Sequence, residues 1–418
     1  MSRSSLSLHS PLRLASPALQ LLTLALSVAS YAPAQTFSVI HQFTGFADGG
    51  APFGGVVLDG AGNLYGTTWV GGQRNAGAVY QLKRSGSGYV LNPLYNFIGG
   101  IDGRMPESSV VFGRGGALYG FTNEGGYYGR GVVFSLRPQS HFSGSVLGSW
   151  AQDVLYAFRG IGSGDGTYPV YGKLVFDPAG NIYGTTQKGG ANDAGTVFEL
   201  SDSGDTWTYT TLHDFGATGD GSQPLHGVIF DNAGNLYGTT AGGGLYGGGT
   251  VFQLAPSASG WTENIIASFD GSNAVGGEPQ AGLIMDQAGN LYGATAIGAQ
   301  SDGAIFELTP SGNSWQMTVL HQFAGGNQYG VVGNLAMDAQ GNLYGNTYGA
   351  GAYLEGMVFK LAPSVNGWTF TDLYDFTYGY NDGGNPSGDL AIDGQGNLYG
   401  TCQNAGGSGK GTLWKVTP

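Results

Sequence analysis

The segment Asp59-Gly-Ala-Gly-Asn-Leu-Tyr-Gly-Thr-Thr68 recurs along the chain, its tyrosine returning at Tyr65, Tyr119, Tyr183, Tyr237, Tyr292, Tyr344 and Tyr399. A fixed period constrains a fold more than any local propensity, because each copy is one unit that buries its apolar face against the next. The copies lie about 56 residues apart, a spacing typical of repeat arrays. Seven of them take up residues 35–418 and leave no room for a second domain.

Each copy reads as four short strands. In the fourth copy the first strand is Gly227-Val-Ile-Phe-Asp231, the second Asn235-Leu-Tyr-Gly-Thr-Thr240, the third Gly249-Thr-Val-Phe-Gln-Leu254, and the fourth runs from Trp261 to Phe269. Asp-x-x-Gly-Asn joins the first two as a tight hairpin, since Asp bonds nearby backbone N–H groups and Gly and Asn tolerate positive φ. The runs are β-branched and aromatic, with no helical apolar stripe after the leader. Four-stranded units repeated seven times match an all-β, seven-bladed β-propeller of antiparallel blades. The fourth-strand phenylalanine occurs at Phe43, Phe97, Phe158, Phe215, Phe269, Phe323 and Phe376, and its first copy precedes the first hairpin. We therefore expect the N-terminal strand, residues 36–43, to complete the C-terminal blade beside Thr412-Leu-Trp-Lys-Val416 and close the ring, which removes an open sheet edge.

Alternation along the second strand puts Leu64 and Gly66 on one face and Tyr65 and Thr67 on the other. A glycine inside a strand marks a close approach, and an aromatic ring of the neighbouring blade is the expected visitor. Thr68, Thr122, Thr186, Thr240, Thr295 and Thr347 share a register that holds Cys402 in the last copy, so this cysteine reads as a small buried filler.

The unit, Gly-Asn-Leu-Tyr-Gly-Thr-Thr followed by Gly-Gly and Gly-Thr-Val-Phe-x-Leu, resembles the GloVer tandem-repeat family of secreted bacterial proteins, also called choice-of-anchor. Asp177 to Leu200 reproduces the whole pattern without a gap. The resemblance implies export and a propeller fold and supplies no catalytic residues. Anchored members carry C-terminal sorting segments; here Pro418 follows the last repeat directly, and release into the periplasm or medium is the expectation. NHL-type and lactonase-type propellers are similar in the Asp-x-x-Gly-Asn turn alone.

Residues 1–34 read as a signal peptide. Arg3 and Arg13 precede an apolar run from Leu14 to Ala29, and Ala32-Pro33-Ala34 offers small residues for cleavage before Gln35. Pro17 and Gln20 keep the run short of a membrane span, and none follows later. With 28 acidic against 15 basic residues the net charge is −13, which excludes a nucleic-acid partner because phosphate neutralisation needs clustered Lys and Arg. One cysteine excludes an internal disulfide. A secreted monomer is expected.

Loops carry binding sites on rigid scaffolds, and the face opposite the Asp-x-x-Gly-Asn turns is the more variable. Its blade-to-blade loops repeat Asp-Gly-x-x-Pro at Asp48, Asp102, Asp165, Asp220 and Asp382, with Glu278 beside Pro279 in about the same place. Such carboxylates serve either as turn formers or as a ring that holds a sugar or a cation such as calcium. Glu107, Tyr171, Lys173, His226, Gln280, Asn334 and Asp389 differ from copy to copy at the entrance of the inner strands, where they would form an asymmetric polar pocket. Trp69, Arg74, Tyr127, Tyr128, Tyr246 and Tyr353 extend the second-to-third loops and suit stacking on sugars or on a surface protein. His41, His213 and His321 share an outer-strand register with Tyr95, Tyr156 and Tyr374 and read as packing residues. No metal-binding His/Cys spacing, nucleophile elbow or phosphate loop occurs, so no cofactor is expected. A binding module for polysaccharide or a surface protein is the leading expectation. The alternatives are a lyase or lactonase type of propeller enzyme, which needs Glu107, His226 and Asp389 to converge, and a structural envelope protein.

Overall fold

The computed structural model describes residues 35–139, 150–204, 206–271, 275–298, 303–324 and 330–418. Residues 1–34, read above as a signal peptide, and the segment around His141 lie outside them.

The repeated turn builds each blade. In the fourth copy Asp231 Oδ1 accepts the backbone N–H of Ala233 and of Asn235, each at 2.8 Å. Its Oδ2 accepts Asn235 Nδ2 at 2.7 Å and the Tyr237 hydroxyl at 3.1 Å. The motif tyrosine is thus tied to the motif aspartate across the hairpin. Burial opposes the charge on Asp231, but these donors outweigh it and hold the carboxyl below its ordinary range. The second copy has Gly113 in place of the aspartate and turns through a short 3-10 segment, Arg114–Gly116.

The hairpin joins Ile229–Phe230 to Leu236–Thr240, which pairs with Thr250–Ser257, which pairs with Gly260–Ser268, all antiparallel. Seven such blades form a ring, a β-propeller. In the last blade Ala391–Ile392, Leu398–Asn404 and Thr412–Thr417 are completed by Thr36–Gln42. Phe37 pairs with Val416 and Val39 with Trp414. The expected closure is present. Seven clusters of buried apolar side chains, one between each pair of adjacent blades, form the core. The closing cluster joins Phe43, Tyr399 and Leu413 to Val56, Leu64 and Tyr80.

Polar groups also fasten blade to blade. The first threonine of the Thr-Thr pair donates to an inner carbonyl of the next blade: Thr67 to Ser108 at 2.8 Å, Thr185 to His226 at 2.8 Å, Thr239 to Ala281 at 2.9 Å and Thr401 to Gly54 at 3.1 Å. In the sixth blade Asn346 Nδ2 does the same to Gly388 at 3.0 Å. The register of the second threonine is fully buried, and Cys402 fills it in the last blade.

The strand glycine is explained differently from expectation. A Cβ on Gly238 would lie 2.5 Å from Phe252 Cζ, and Phe252 is its cross-strand partner within the same blade. Gly66 meets Tyr80, Gly345 meets Phe359 and Gly400 meets Trp414 in the same way. The ring therefore comes from the blade's own third strand. At Gly184 a neighbouring blade contributes as well, and Phe121 shares the space with Phe198.

Candidate functional site at the ring mouth

The blade-to-blade loop positions the site. Its pre-proline residue adopts left-handed φ, as at Ala51, Met105, Gln223, Glu278 and Asn385, a strained state that persists only where neighbours enforce it. Gln223 shows how: its N–H donates to Ala194 O at 2.7 Å, and its carbonyl accepts Ala241 N–H at 3.0 Å. The proline then packs on the glycine that opens the preceding blade's third strand; a Cβ on Gly249, where φ is +96°, would meet Pro279 Cδ at 2.8 Å. With both ends pinned, the residue after the proline is delivered to the axis.

In successive blades that position is Phe53, Glu107, Tyr171, Leu225, Gln280, Val332 and Ser387, with one extra residue before Tyr171. Six of them, together with Gln187, Tyr348 and Gln403 from the ends of second strands, line a cavity of about 470 Å³. Glu107, Ser109, His226 and Asp389 line a narrower space that Phe53, Tyr171 and Ser387 also border. Glu107, His226 and Asp389 thus border the same narrow space. Of the other entrance residues, Tyr171 and Gln280 line the cavity and Lys173 and Asn334 bind Asp389. Variation between repeats did not single out Phe53, Leu225, Val332, Ser387, Gln187, Tyr348 or Gln403. The available signal was the place after the loop proline and after the Thr-Thr pair.

Hydrogen bonds in this group run past one another rather than between the three candidates. Lys173 Nζ lies 2.9 Å from Asp389 Oδ2, and Asn334 N–H donates to Asp389 Oδ1 at 2.7 Å. Burial alone would raise Asp389, but the Lys173 ammonium and the Asn334 N–H hold it low. His226 is fully buried, which pushes its pKa down and keeps the imidazole neutral. Its Nε2 pairs with Val332 O at 3.0 Å, so Nε2–H is the donor and Nδ1 is the free acceptor. Burial pushes Glu107 up to about 7, against the help of Asn123 Nδ2 at 3.0 Å. Tyr171 is pushed up to about 12 by burial and by the Glu107 charge. The floor thus offers a carboxyl that exchanges a proton near neutrality, a neutral imidazole and a compensated ion pair.

Four buried polar atoms without hydrogen bonds belong to this group or its neighbours. Gln403 Oε1, His226 Nδ1, Asn123 Oδ1 and Trp69 Nε1 have none. The first two belong to lining residues, Asn123 bonds Glu107, and Trp69 packs edge-on to Phe53 with ring centroids 5.4 Å apart.

The loop carboxylates sit elsewhere. Asp102 accepts the Tyr95 hydroxyl at 3.1 Å and Ile98 N–H at 2.8 Å. Asp165 accepts Tyr156 at 2.5 Å, Asp382 accepts Tyr374 at 3.2 Å, Asp48 pairs with His41 at 3.2 Å and Asp220 with His213 at 3.1 Å. Each carboxylate closes its own loop against the outer strand, so a ring of them around the mouth does not form. Glu278 does not share their register; it occupies the left-handed pre-proline place. The outer-strand histidines and tyrosines do share one register, and in five blades its function is this hydrogen bond. His321 instead stacks on Phe370, with centroids 4.0 Å apart.

The loop aromatics divide. Trp69 is half-buried against Phe53, whereas Tyr127, Tyr128, Tyr246 and Tyr353 are exposed by half or more. Tyr127 and Tyr128 pack edge to face at 4.9 Å. Arg74 is exposed. Among the described residues no helix is long and apolar enough to cross a membrane.

Fold and site define a seven-bladed β-propeller with an aromatic and amide-lined cavity at one mouth of its ring. The family model of the Gloeobacter/Verrucomicrobia repeat matches residues 27–152, 146–336 and 262–418, and the chain belongs to that family. Among curated proteins none matches the sequence. Among solved structures the chain is similar to a candidate gluconolactonase at 13% identity, over 92% of each chain, with a TM-score of 0.42. It is similar to a candidate 6-phosphogluconolactonase from Bacteroides uniformis at 14% identity, over 79% of this chain and 83% of that one, with a TM-score of 0.48. A candidate oxidoreductase of glucose dehydrogenase type from Thermus thermophilus gives 16% identity, 92% and 100% coverage, and a TM-score of 0.43. Nothing about the chemistry of this chain rests on likenesses of that size.

Proposed function

We propose that the chain is an exported binding module that takes a small neutral polyhydroxylated ligand, such as one sugar unit of a polysaccharide, in the cavity at the ring mouth. The observation that carries this reading is the lining: Phe53, Tyr171 and Tyr348 supply ring faces and edges, while Gln187, Gln280, Gln403 and Ser387 supply uncharged donors and acceptors. A sugar presents that same pairing of apolar C–H faces and hydroxyls. A buried polar group without a partner costs about 1–3 kcal/mol, so hydroxyls that reach Gln403 Oε1 gain in affinity. Export through residues 1–34 belongs to the same proposal.

A second reading draws support from the floor. Glu107 near neutrality and neutral His226, bordering one narrow space, form a proton donor and acceptor set suited to general acid–base chemistry, in a lyase or lactonase type of reaction. Asp389 is committed to Lys173 and serves as an anchor in either reading.

Glycan-array screening of the purified chain, followed by calorimetry on the hits, tests the proposal. Tyr171→Ala and Tyr348→Ala are each expected to weaken binding by tenfold or more. Binding that survives both and is lost on replacing Tyr127, Tyr128 and Tyr246 would move the ligand to the loop rim. Product release from a bound glycan that stops in His226→Ala establishes the enzyme reading instead.

A further inference from the structure

At three junctions between blades, an outer-strand ring stacks on the His or Tyr register of the preceding blade. Phe37 stacks on Tyr374 with centroids 3.7 Å apart, Tyr209 on Tyr156 at 4.6 Å, and Phe370 on His321 at 4.0 Å. All three rings hold the same place in their strands, opposite Val416, Leu200 and Leu361 of the third strand. In the fourth blade that place, opposite Leu254, is Glu263. The substitution takes away a stacking ring and brings a second carboxylate to His213, which already pairs with Asp220.

The result is a set of metal-ligand types at metal-ligand spacing. His213 Nε2 is 3.1 Å from Asp220 Oδ2 and 3.5 Å from Glu263 Oε1, and all three ligand atoms lie within 4.8 Å of one another. Ligands about 2.0–2.1 Å from a tetrahedral zinc ion are separated by about 3.3 Å, close to these edges. Among the described residues it is the one group of three or more His, Cys, Asp or Glu side chains with this spacing. Glu263 Oε1 is shielded from solvent and carries no hydrogen bond. Asp220 is fixed by N–H donors from Gly216 at 3.0 Å and Gly221 at 2.5 Å, so one ligand is preorganised. The side chains of His213 and Glu263 keep 20% and 15% exposure, enough for water to complete the coordination.

We propose that His213, Asp220 and Glu263 bind a divalent transition-metal ion of the zinc type at the junction of the third and fourth blades, away from the cavity at the ring mouth. The ion ties adjacent outer strands together where three other junctions use stacked rings. One imidazole and two carboxylates favour zinc or cobalt over calcium, which takes six to eight oxygen ligands.

The test is calorimetric titration of the chelator-treated chain, made without a histidine tag, with Zn²⁺, Co²⁺ and Ca²⁺. One equivalent of Zn²⁺ is expected, with Co²⁺ developing the visible absorption of a four-coordinate ion and Ca²⁺ binding at least a hundredfold more weakly. His213→Ala and Glu263→Gln should each lower zinc affinity tenfold or more. Glu263→Tyr restores the side chain that blade three uses in this place, so it should keep the fold while abolishing zinc binding and raising the metal-free melting temperature. Absence of zinc binding to the unmodified chain, or binding equally tight in Glu263→Tyr, would overturn the site.

Discussion

Glu107 shows what a single side chain at the ring mouth does to the whole. It is 7% exposed, and its carboxyl is pushed from 4.5 to about 7 by burial. The folded protein therefore holds a proton there that the unfolded chain releases once pH exceeds 4.5. Stability from this group is fully present below pH 4.5 and is lost as pH rises through 7, a loss of about 3 kcal/mol at an unfolded value near 4.5. Glu107→Gln does not titrate and can keep the Asn123 bond through its amide oxygen. Melting curves should show the variant more stable than the parent at about pH 8.5 and equal to it at about pH 4; an equal gap at both values would contradict a buried neutral carboxyl. Glu107, Tyr171 and Gln280 were legible because polar residues change from copy to copy there within a motif that otherwise repeats. The carboxylates Asp48, Asp102, Asp165, Asp220 and Asp382 were equally conspicuous, but a period gives position along the chain and not radial direction. Their own Tyr and His partners sit seven to nine residues earlier, in a register read only as packing.

At the scale of the element, the second strand of each blade is a thin slot between hydrogen-bonded neighbours. Gly238 is required there because the end of the Phe252 ring occupies the space, and the added methyl of Gly238→Ala falls 2.5 Å from Phe252 Cζ. Overpacking of this kind costs about 1–3 kcal/mol. Gly238→Ala with Phe252→Leu should recover part of that loss in a double-mutant cycle, whereas strictly additive losses would show that the ring is not the obstacle. That a ring visits the glycine was readable from the strand pattern. Which strand supplies it was not, since Gly238 and Phe252 are brought together by pairing across a loop whose length does not fix register. The threonine bonds between blades escaped notice for the same reason: Thr239 and Ala281 are 42 residues apart and their contact exists only in the ring.

The whole molecule depends on Thr36–Gln42 closing the last blade. Sequence carried this far, because the strand signature appears once before the first hairpin, and the seventh apolar cluster, built on Phe43, Leu413 and Val56, shows its consequence. Closure places Phe53 and Ser387, from opposite ends of the chain, in the wall of one cavity. Ser38 and Lys415 face each other in the closing pair, and antiparallel partners have Cα separations of about 4.5–5.5 Å, within disulfide range. Cys402 is fully buried, which pushes its thiol up and keeps it from competing. The decisive measurement is peptide mapping by mass spectrometry of the variant carrying Ser38→Cys and Lys415→Cys after mild oxidation. Near-complete linkage of the two peptides within monomers, with a higher melting temperature than the reduced form, is expected. Free thiols at both positions, or linkage found only between chains, would contradict the closed ring.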